Sequence, residues 1–243
     1  MVIELLTSHA SVRRYKDEPI TKETVTELVR AGQHAASSHF VQACSVIYVT
    51  DTEKRGQLAE LSKNRRQFYT AGAALVFCMD YNRLSHAARL HDREIDFSVA
   101  ENVLVGAIDV GLFAQNVAIA AESKGYGICY IGGVRNAIEE ISEVLELPKG
   151  VVPLFGMSIG VPNEANGVKP RLPVEAVFHE NSYNEEKYAT ILPAYDEIIK
   201  EYYATRDSNQ KESTWTEQMA DFLEKPRRLD IKTFLEKQGF LFK

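Results

Sequence analysis

The chain has 243 residues, with 28 Lys+Arg against 34 Asp+Glu and a formal net charge of −6. That balance excludes a general nucleic-acid binder, which presents a basic face, and the length suits one large domain, or one domain with an extension, able to bury a sizeable core. Apolar residues make up 45% of the chain, with no run approaching the roughly 18 expected of a membrane span and no charged segment leading into an apolar one as in a secretory signal.

In chain order, Val2 to Ser8 reads as a short helix. Thr21 to Ala31 is a stronger one: Pro19 precedes it, Thr21 caps it, Val25, Leu28 and Val29 share a face, and Gly32 closes it. Ser45 to Thr50 is a strand rich in β-branched residues, and Asp51 then caps a helix carrying Leu58 and Leu61. Ala73 to Met79 reads as a buried strand. Asn82 to Asp96 is polar, with His86, His91 and several Arg, and is expected to be a mobile surface segment. Phe97 to Lys124 is the dominant helix, apolar on most faces, as in a core or at a subunit interface.

Gly127 to Ile131 is a strand that stops at Gly132-Gly133. Asn136 and Glu139 form a capping-box-like start for a helix running to Leu147, ended by Pro148. Val151 to Val161 is an apolar strand. Beyond about Val174 come a helix over Leu192 to Thr205 and amphipathic helices near Trp215 to Leu223 and Leu229 to Gln238. This tail reads as lacking a core of its own, with a partner subunit as its candidate support. Strands separated by long helices suggest an α+β or three-layer architecture. A Rossmann pattern is excluded, because the only Gly-rich turn lacks GxGxxG spacing.

Cys44, Cys78 and Cys129 are odd in number and widely spaced, which reads as reduced thiols in a cytoplasmic protein, two or more of them buried. The six histidines show no metal-ligand spacing, and neither a GxSxG elbow nor an HExxH pair is present. What stands out is a dispersed donor set. His9, Arg13, Lys169 and Arg171 supply cations, and Ser11, Ser37 and Ser38 supply hydroxyls, the types that surround a phosphate dianion. Glycines after Tyr130-Ile131 permit positive φ and close backbone approach to a flat ligand. Arg206 and Lys211, in a polar loop, suit the extra phosphate of NADPH. Taken one by one, these cations read equally well as solvated surface charges, and Gly132-Gly133 as an ordinary strand-to-helix turn.

Six ordered segments together are more specific. His9-Ala-Ser-Val-Arg13 with Asp17-Glu-Pro-Ile20, Ser37-Ser-His-Phe-Val-Gln42, Tyr130-Ile-Gly-Gly133, Lys169-Pro-Arg-Leu-Pro173, His179-Glu-Asn-Ser-Tyr183, and Tyr203-Ala-Thr-Arg206 leading to Trp215 run through nearly the whole chain. In these motifs it resembles the flavin-dependent nitroreductase superfamily, in the branch of oxygen-insensitive NADPH nitroreductases and NADPH:flavin oxidoreductases.

The resemblance implies a nitroreductase-like three-layer α+β fold: a mixed, mostly antiparallel sheet flanked by helices, with a C-terminal helical extension wrapping the partner subunit. Residues 1–243 would form a single FMN-binding domain, with 175–243 as dimerisation extension and one FMN per subunit at a homodimer interface. Carried over residue by residue, His9, Ser11 and Arg13 would contact the ribityl-phosphate and ring edge. Ser37 and Ser38, with His39 and Gln42 of the same motif, would lie along the flavin. Tyr130, Ile131, Gly132 and Gly133 would give contacts beside the ring, Lys169 and Arg171 would hold the phosphate or ring-carbonyl side, and Arg206 and Lys211 would favour NADPH. Three positions depart from the pattern. Ala10 stands where relatives often have Arg, His39 where Ser is common, and Arg65 in place of a Gln that touches the flavin.

The activity so implied is ping-pong hydride transfer from NADPH, or NADH, through FMN to a small electrophilic acceptor such as a free flavin, nitroaromatic or quinone. No side chain serves as nucleophile, and neither nucleic acid nor membrane is a partner. Two rivals share the scaffold: a flavin-binding carrier or sensor with little turnover, and a flavin destructase or dehalogenase-like member.

Overall fold

The computed structural model describes residues 1–206 and 210–242. The chain divides into two compact units, one formed by Met1–Asn166 with Arg228–Lys243 and the other by Gly167–Arg227.

In chain order the larger unit holds α1 (Val2–Thr7), α2 (Lys22–Gln33), β1 (Cys44–Tyr48), α3 (Thr52–Ser62), α4 (Arg65–Thr70), β2 (Ala73–Asp80), α5 (Asn82–Arg89), α6 (Ala100–Ser123), β3 (Gly127–Ile131), α7 (Ile138–Val144) and β4 (Val151–Gly160). The smaller unit holds α8 (Val174–Val177), α9 (Tyr188–Thr205) and α10 (Trp215–Glu224), and α11 (Ile231–Gln238) returns to the larger one. The strands form one sheet in the order β1-β2-β4-β3, antiparallel in every pairing.

β2 explains the layering. Its eight residues are all buried, and alternate side chains point to opposite faces of the sheet. Ala73, Leu75, Phe77 and Met79 pack with Leu28 of α2 and with Val110, Ala114 and Val117 of α6. Ala74, Val76 and Cys78 pack with Leu58 of α3, Phe68 of α4 and Ile141 of α7. A strand covered on both sides needs a continuous apolar run, and Ala73-Ala-Leu-Val-Phe-Cys-Met79 supplies one. Helix, sheet and helix therefore make three layers.

Thr21 and Asp51 cap their helices as predicted, accepting from Thr24 N at 3.2 Å and from Glu53 and Lys54 N at 2.9 Å. Four local expectations change. The segment after Asn82 is a helix, α5, whose first turn is held by Asp80 Oδ1 accepting from Arg83 N at 2.9 Å. Asn136 caps nothing: its amide donates to Ser62 O and accepts from Arg228, and α7 starts two residues later. Gly32 lies inside α2, not after it, and its small size serves packing, since any Cβ there would meet the Phe113 ring of α6 at 2.5 Å. Among the described residues α6 is also long and apolar enough, by length and composition, to cross a membrane, although it lines this core with Val110, Ala114, Val117 and Ala121.

The tail has more internal support than its sequence suggests. In the smaller unit, Tyr195, Ile199 and Tyr203 form a cluster of their own with Leu172, Tyr202 and Trp215. Thr214 and Glu217 make a reciprocal capping box at the start of α10. In the larger unit, Phe234, Leu235 and Phe240 join the main core of the same chain, with Phe240 between Tyr81 and Phe97.

Candidate functional site

In the larger unit the site begins with an arm, residues 9–15, laid along the β3–β4 edge. Val12 N donates to Ile128 O at 2.9 Å, and Tyr15 pairs with Pro162 as an isolated bridge. Gly127 and Gly160 are register partners, and a Cβ on either would fall 2.6 Å from Val12 or from the Tyr15 ring. The two glycines seat the arm. Tyr15 Oη donates to Val12 O at 2.6 Å and lies 2.8 Å from Ser158 Oγ, and burial raises its phenol well above the ordinary value.

Two carboxylates then position the cationic residues of this arm. Glu164 Oε1 accepts from Arg13 N at 2.6 Å, Arg14 N at 3.2 Å and Asn166 Nδ2 at 2.9 Å. The same Asn166 amide donates to Ser11 O at 2.9 Å. Burial alone would raise the Glu164 pKa. The Arg13 and Arg14 amides, the Asn166 bond and the Arg14 charge outweigh it and hold the carboxyl below its usual range. Glu122, near the end of α6, takes a short hydrogen bond from His9 Nδ1. One helical face of α6 also carries Gln115, whose Oε1 accepts from Tyr130 Oη at 3.2 Å. Burial, then Glu122, raises the Tyr130 phenol.

The second part is the loop after α2. His39, Phe40 and Gln42 all adopt left-handed backbone, with φ of 47°, 58° and 51°, a conformation costing a non-glycine residue about 1–2 kcal/mol. Strain of this kind persists where surrounding contacts over-determine it, most often at functional sites. Here Ser38 N donates to Asp109 Oδ1 at 3.0 Å, Gln42 N to Ser37 Oγ at 3.2 Å, and Arg83 to the Gln42 and Cys44 carbonyls. A cavity of about 520 Å³ adjoins the loop, lined by Ser37, Phe40, Gln42, Cys44, Arg83 and Asp109 among others. That volume is in the range of small-molecule sites. Asp109 is 4% exposed, and its Oδ2 has no hydrogen-bond partner among the described residues. The Cys44 thiol is pushed up to about 12 by burial, which disfavours the thiolate.

The Tyr130–Gly133 turn differs from its sequence reading. Neither Gly132 nor Gly133 has positive φ. Gly133 is required because a Cβ would fall 2.2 Å from Asn64 Nδ2 and 2.3 Å from Ser62 O. Its small size serves the packing of the α3–α4 corner, and the bend after β3 is a 3₁₀ turn over Gly132–Ala137. Arg65, on α4, is exposed and forks onto Glu60.

In the smaller unit the cations converge on one side chain. Lys169 Nζ donates to Tyr203 Oη at 2.8 Å and lies 5.1 Å from the ring centroid. The Arg206 guanidinium lies 4.5 Å from that centroid and Lys211 Nζ 5.8 Å. Arg206 Nε is buried, with no hydrogen-bond partner among the described residues. Arg171 donates to Lys169 O at 2.9 Å and is exposed. Asp207, Ser208 and Asn209 of the predicted polar loop lie outside the described residues. His179 is structural: its ring stacks on Tyr183 at 4.4 Å, and Nδ1 accepts from Asn184 N at 3.0 Å. Among the described residues no grouping of His, Cys, Asp and Glu is able to hold a metal ion.

Residues 6–161 match the nitroreductase family, and residues 169–243 match the nitroreductase family, C-terminal domain. The chain belongs to the nitroreductase family. Among its relatives is a "CR(VI) reductase" of Pseudomonas sp. (strain G-1), 59% identical over 243 residues and covering all of both chains. The solved structure of NfrA1 from B. megaterium superposes with a TM-score of 0.95 at 42% identity, covering 99% of each chain. The NADPH:FMN oxidoreductase from Vibrio harveyi, solved in complex with NAD+, superposes with a TM-score of 0.89 at 38% identity, covering 100% of this chain and 99% of that one. Sequence reasoning found the nitroreductase motifs, with Tyr203 in one of them, but missed Glu122, Gln115, Asp109 and Glu164.

Proposed function

We propose that the chain is an FMN-dependent NADPH oxidoreductase that reduces flavins, nitroaromatics or quinones in ping-pong turnover. One observation carries this reading. Lys169, Arg206 and Lys211 gather around one phenol ring, and among the described residues no carboxylate pairs with any of them. Like charges held together without counter-ions favour a ligand carrying phosphates.

FMN, when bound, would supply the two-electron hydride chemistry. The chain's own residues bind and orient. His9, Ser11 and Arg13 serve the ribityl-phosphate and ring edge, and Lys169 and Arg171 the phosphate or ring-carbonyl side. Ser37, Ser38, His39 and Gln42 run along the flavin, and Tyr130 to Gly133 lie beside it. Arg206 and Lys211 take the extra phosphate that separates NADPH from NADH. Arg65 is assigned to the ring edge only if it leaves Glu60. The relative named "CR(VI) reductase" supports adding Cr(VI) to the proposed acceptors.

The working form is a soluble, cytoplasmic homodimer. Leu104, Ile108 and Leu112, four residues apart on α6, are 59%, 59% and 46% exposed in the single chain, and form a ridge suited to a second copy. The three free thiols fit a reducing compartment. Ile108→Asp is expected to shift the protein to monomer in analytical ultracentrifugation, and an unchanged dimer would count against that interface.

The deciding experiment is an anaerobic absorbance spectrum before and after stoichiometric NADPH. Flavin bands that bleach and then return with nitrofurazone or FMN support the oxidoreductase. A yellow protein that NADPH leaves unbleached is a carrier or sensor. A colourless protein that takes up no FMN overturns the reading altogether.

A further inference from the structure

Tyr203 is the point at which the proposed flavin and dinucleotide residues meet. It sits near the end of α9, 3% exposed, in the cluster with Tyr195 and Ile199. Its hydroxyl accepts from Lys169 Nζ at 2.8 Å and donates to Gln218 Oε1 at 3.2 Å. The Gln218 amide nitrogen is in turn fixed on Thr214 O at 2.8 Å, so α10 holds the acceptor in place. The ring, meanwhile, has the Arg206 guanidinium at 4.5 Å and Lys211 Nζ at 5.8 Å from its centroid. An aromatic face attracts cations through its quadrupole. A guanidinium additionally stacks flat on it. Burial alone would raise the phenol, yet the Lys169 hydrogen bond and the surrounding cations hold it below the ordinary tyrosine value.

We propose that Tyr203 is a positioning residue with two separable duties: its hydroxyl fixes Lys169 for the flavin phosphate, and its ring gathers Arg206 and Lys211 for the extra phosphate of NADPH. This rests on the functional reading above. The physical reason is preorganisation. Long Lys and Arg side chains lose rotamer freedom when a ligand immobilises them, and a buried phenol that already holds three of them reduces that loss. Cofactor retention and dinucleotide preference then depend on different atoms of one side chain.

The test uses the full chain. In Tyr203→Phe the ring stays and the hydroxyl goes. FMN affinity is expected to fall about five- to tenfold, while the NADPH:NADH ratio of kcat/KM, measured at saturating FMN, stays within about twofold of wild type. A cycle with Lys169→Met distinguishes positioning from packing: the double variant should bind FMN no worse than the weaker single one. Additive losses, or unchanged FMN affinity in Tyr203→Phe, overturn the hydroxyl's role. In Tyr203→Leu the ring goes too, and the NADPH:NADH ratio should fall about tenfold. Where that variant does not fold, Arg206→Lys keeps the charge and removes the flat stacking group, and a fall of several-fold is expected. An unchanged ratio in the variant measured overturns the ring's role. Wild type is measured first: failure to take up FMN or oxidise NADPH overturns the functional reading itself, whereas wild-type behaviour of the variants on an active background overturns Tyr203 alone.

Discussion

The arm at residues 9–15 and the cluster around Tyr203 both present cations, but they hold them in opposite ways. In the arm, carboxylates position the chain. Glu164 binds the Arg13 and Arg14 backbone amides, and Glu122 binds the His9 ring. In the cluster, a neutral phenol does so, and Lys169, Arg206 and Lys211 are left without a described carboxylate. A carboxylate fixes geometry strongly but cancels field. An aromatic ring fixes it more weakly and leaves the charge available. The arm is therefore held in a fixed geometry, and the cluster keeps its charge uncompensated among the described residues.

That contrast can be broken most severely at Glu164. Glu164→Ala removes three acceptor contacts from one loop, and FMN affinity is expected to fall roughly ten- to a hundredfold, in line with charge-assisted hydrogen bonds of about 1.5–3 kcal/mol. Isothermal titration with FMN reads this directly, and an unchanged affinity would mean that the glycine seat alone holds the arm. The same residue gives a pH dependence. Its folded pKa lies below the ordinary value, so its contribution to holding the arm is complete above that ordinary value and is lost as pH falls through the lower, folded one. Protection of the Arg13 and Arg14 amides, measured against their intrinsic exchange rates at each pH, should fall on acidification in the wild type and be already low in Glu164→Ala.

Arg206→Ala comes next. The KM for NADPH should rise about tenfold, roughly 1.4 kcal/mol, with a much smaller change for NADH. Equal effects on both dinucleotides would remove the phosphate role. Glu122→Gln should weaken FMN binding about fivefold, because an amide still reaches His9 but no longer as a charge. Ionic strength should have the smallest effect. Between about 0.01 and 0.15 M salt the Debye length falls from about 30 to about 8 Å, and the NADPH KM should rise two- to threefold, roughly, in wild type. In an Arg206→Ala/Lys211→Ala variant the slope should flatten. A wild type indifferent to salt would mean that the cluster does not act through its field.

Local pattern made much of the fold legible. Ala73–Met79 declared a strand covered on both faces, Asp51 and Thr21 declared their helix starts, and the apolar run of α6 declared a long helix of a core or a subunit interface. The helix after Asn82 was hidden because its sequence is polar, and its start depends on Asp80, a residue belonging to the preceding strand. Asn136 misled for the converse reason. It has the right spacing for a cap, but its amide is occupied by Ser62 and Arg228, the latter 92 positions away.

The sequence by itself determined the residues that bear charge and the periodicities that choose helix or strand, since both are properties of neighbours along the chain. It also carried the ordered motifs that mark the nitroreductase family. Only the tertiary structure decided which group holds which. Glu122 meets His9 across 113 positions, Glu164 meets Arg13 across 151, and Lys169 meets Tyr203 across 34. A carboxylate or phenol looks the same in sequence whether it faces solvent or a cation. Its role is set by distance in space and by burial, and both arise only when the sheet, α6 and α9 have folded.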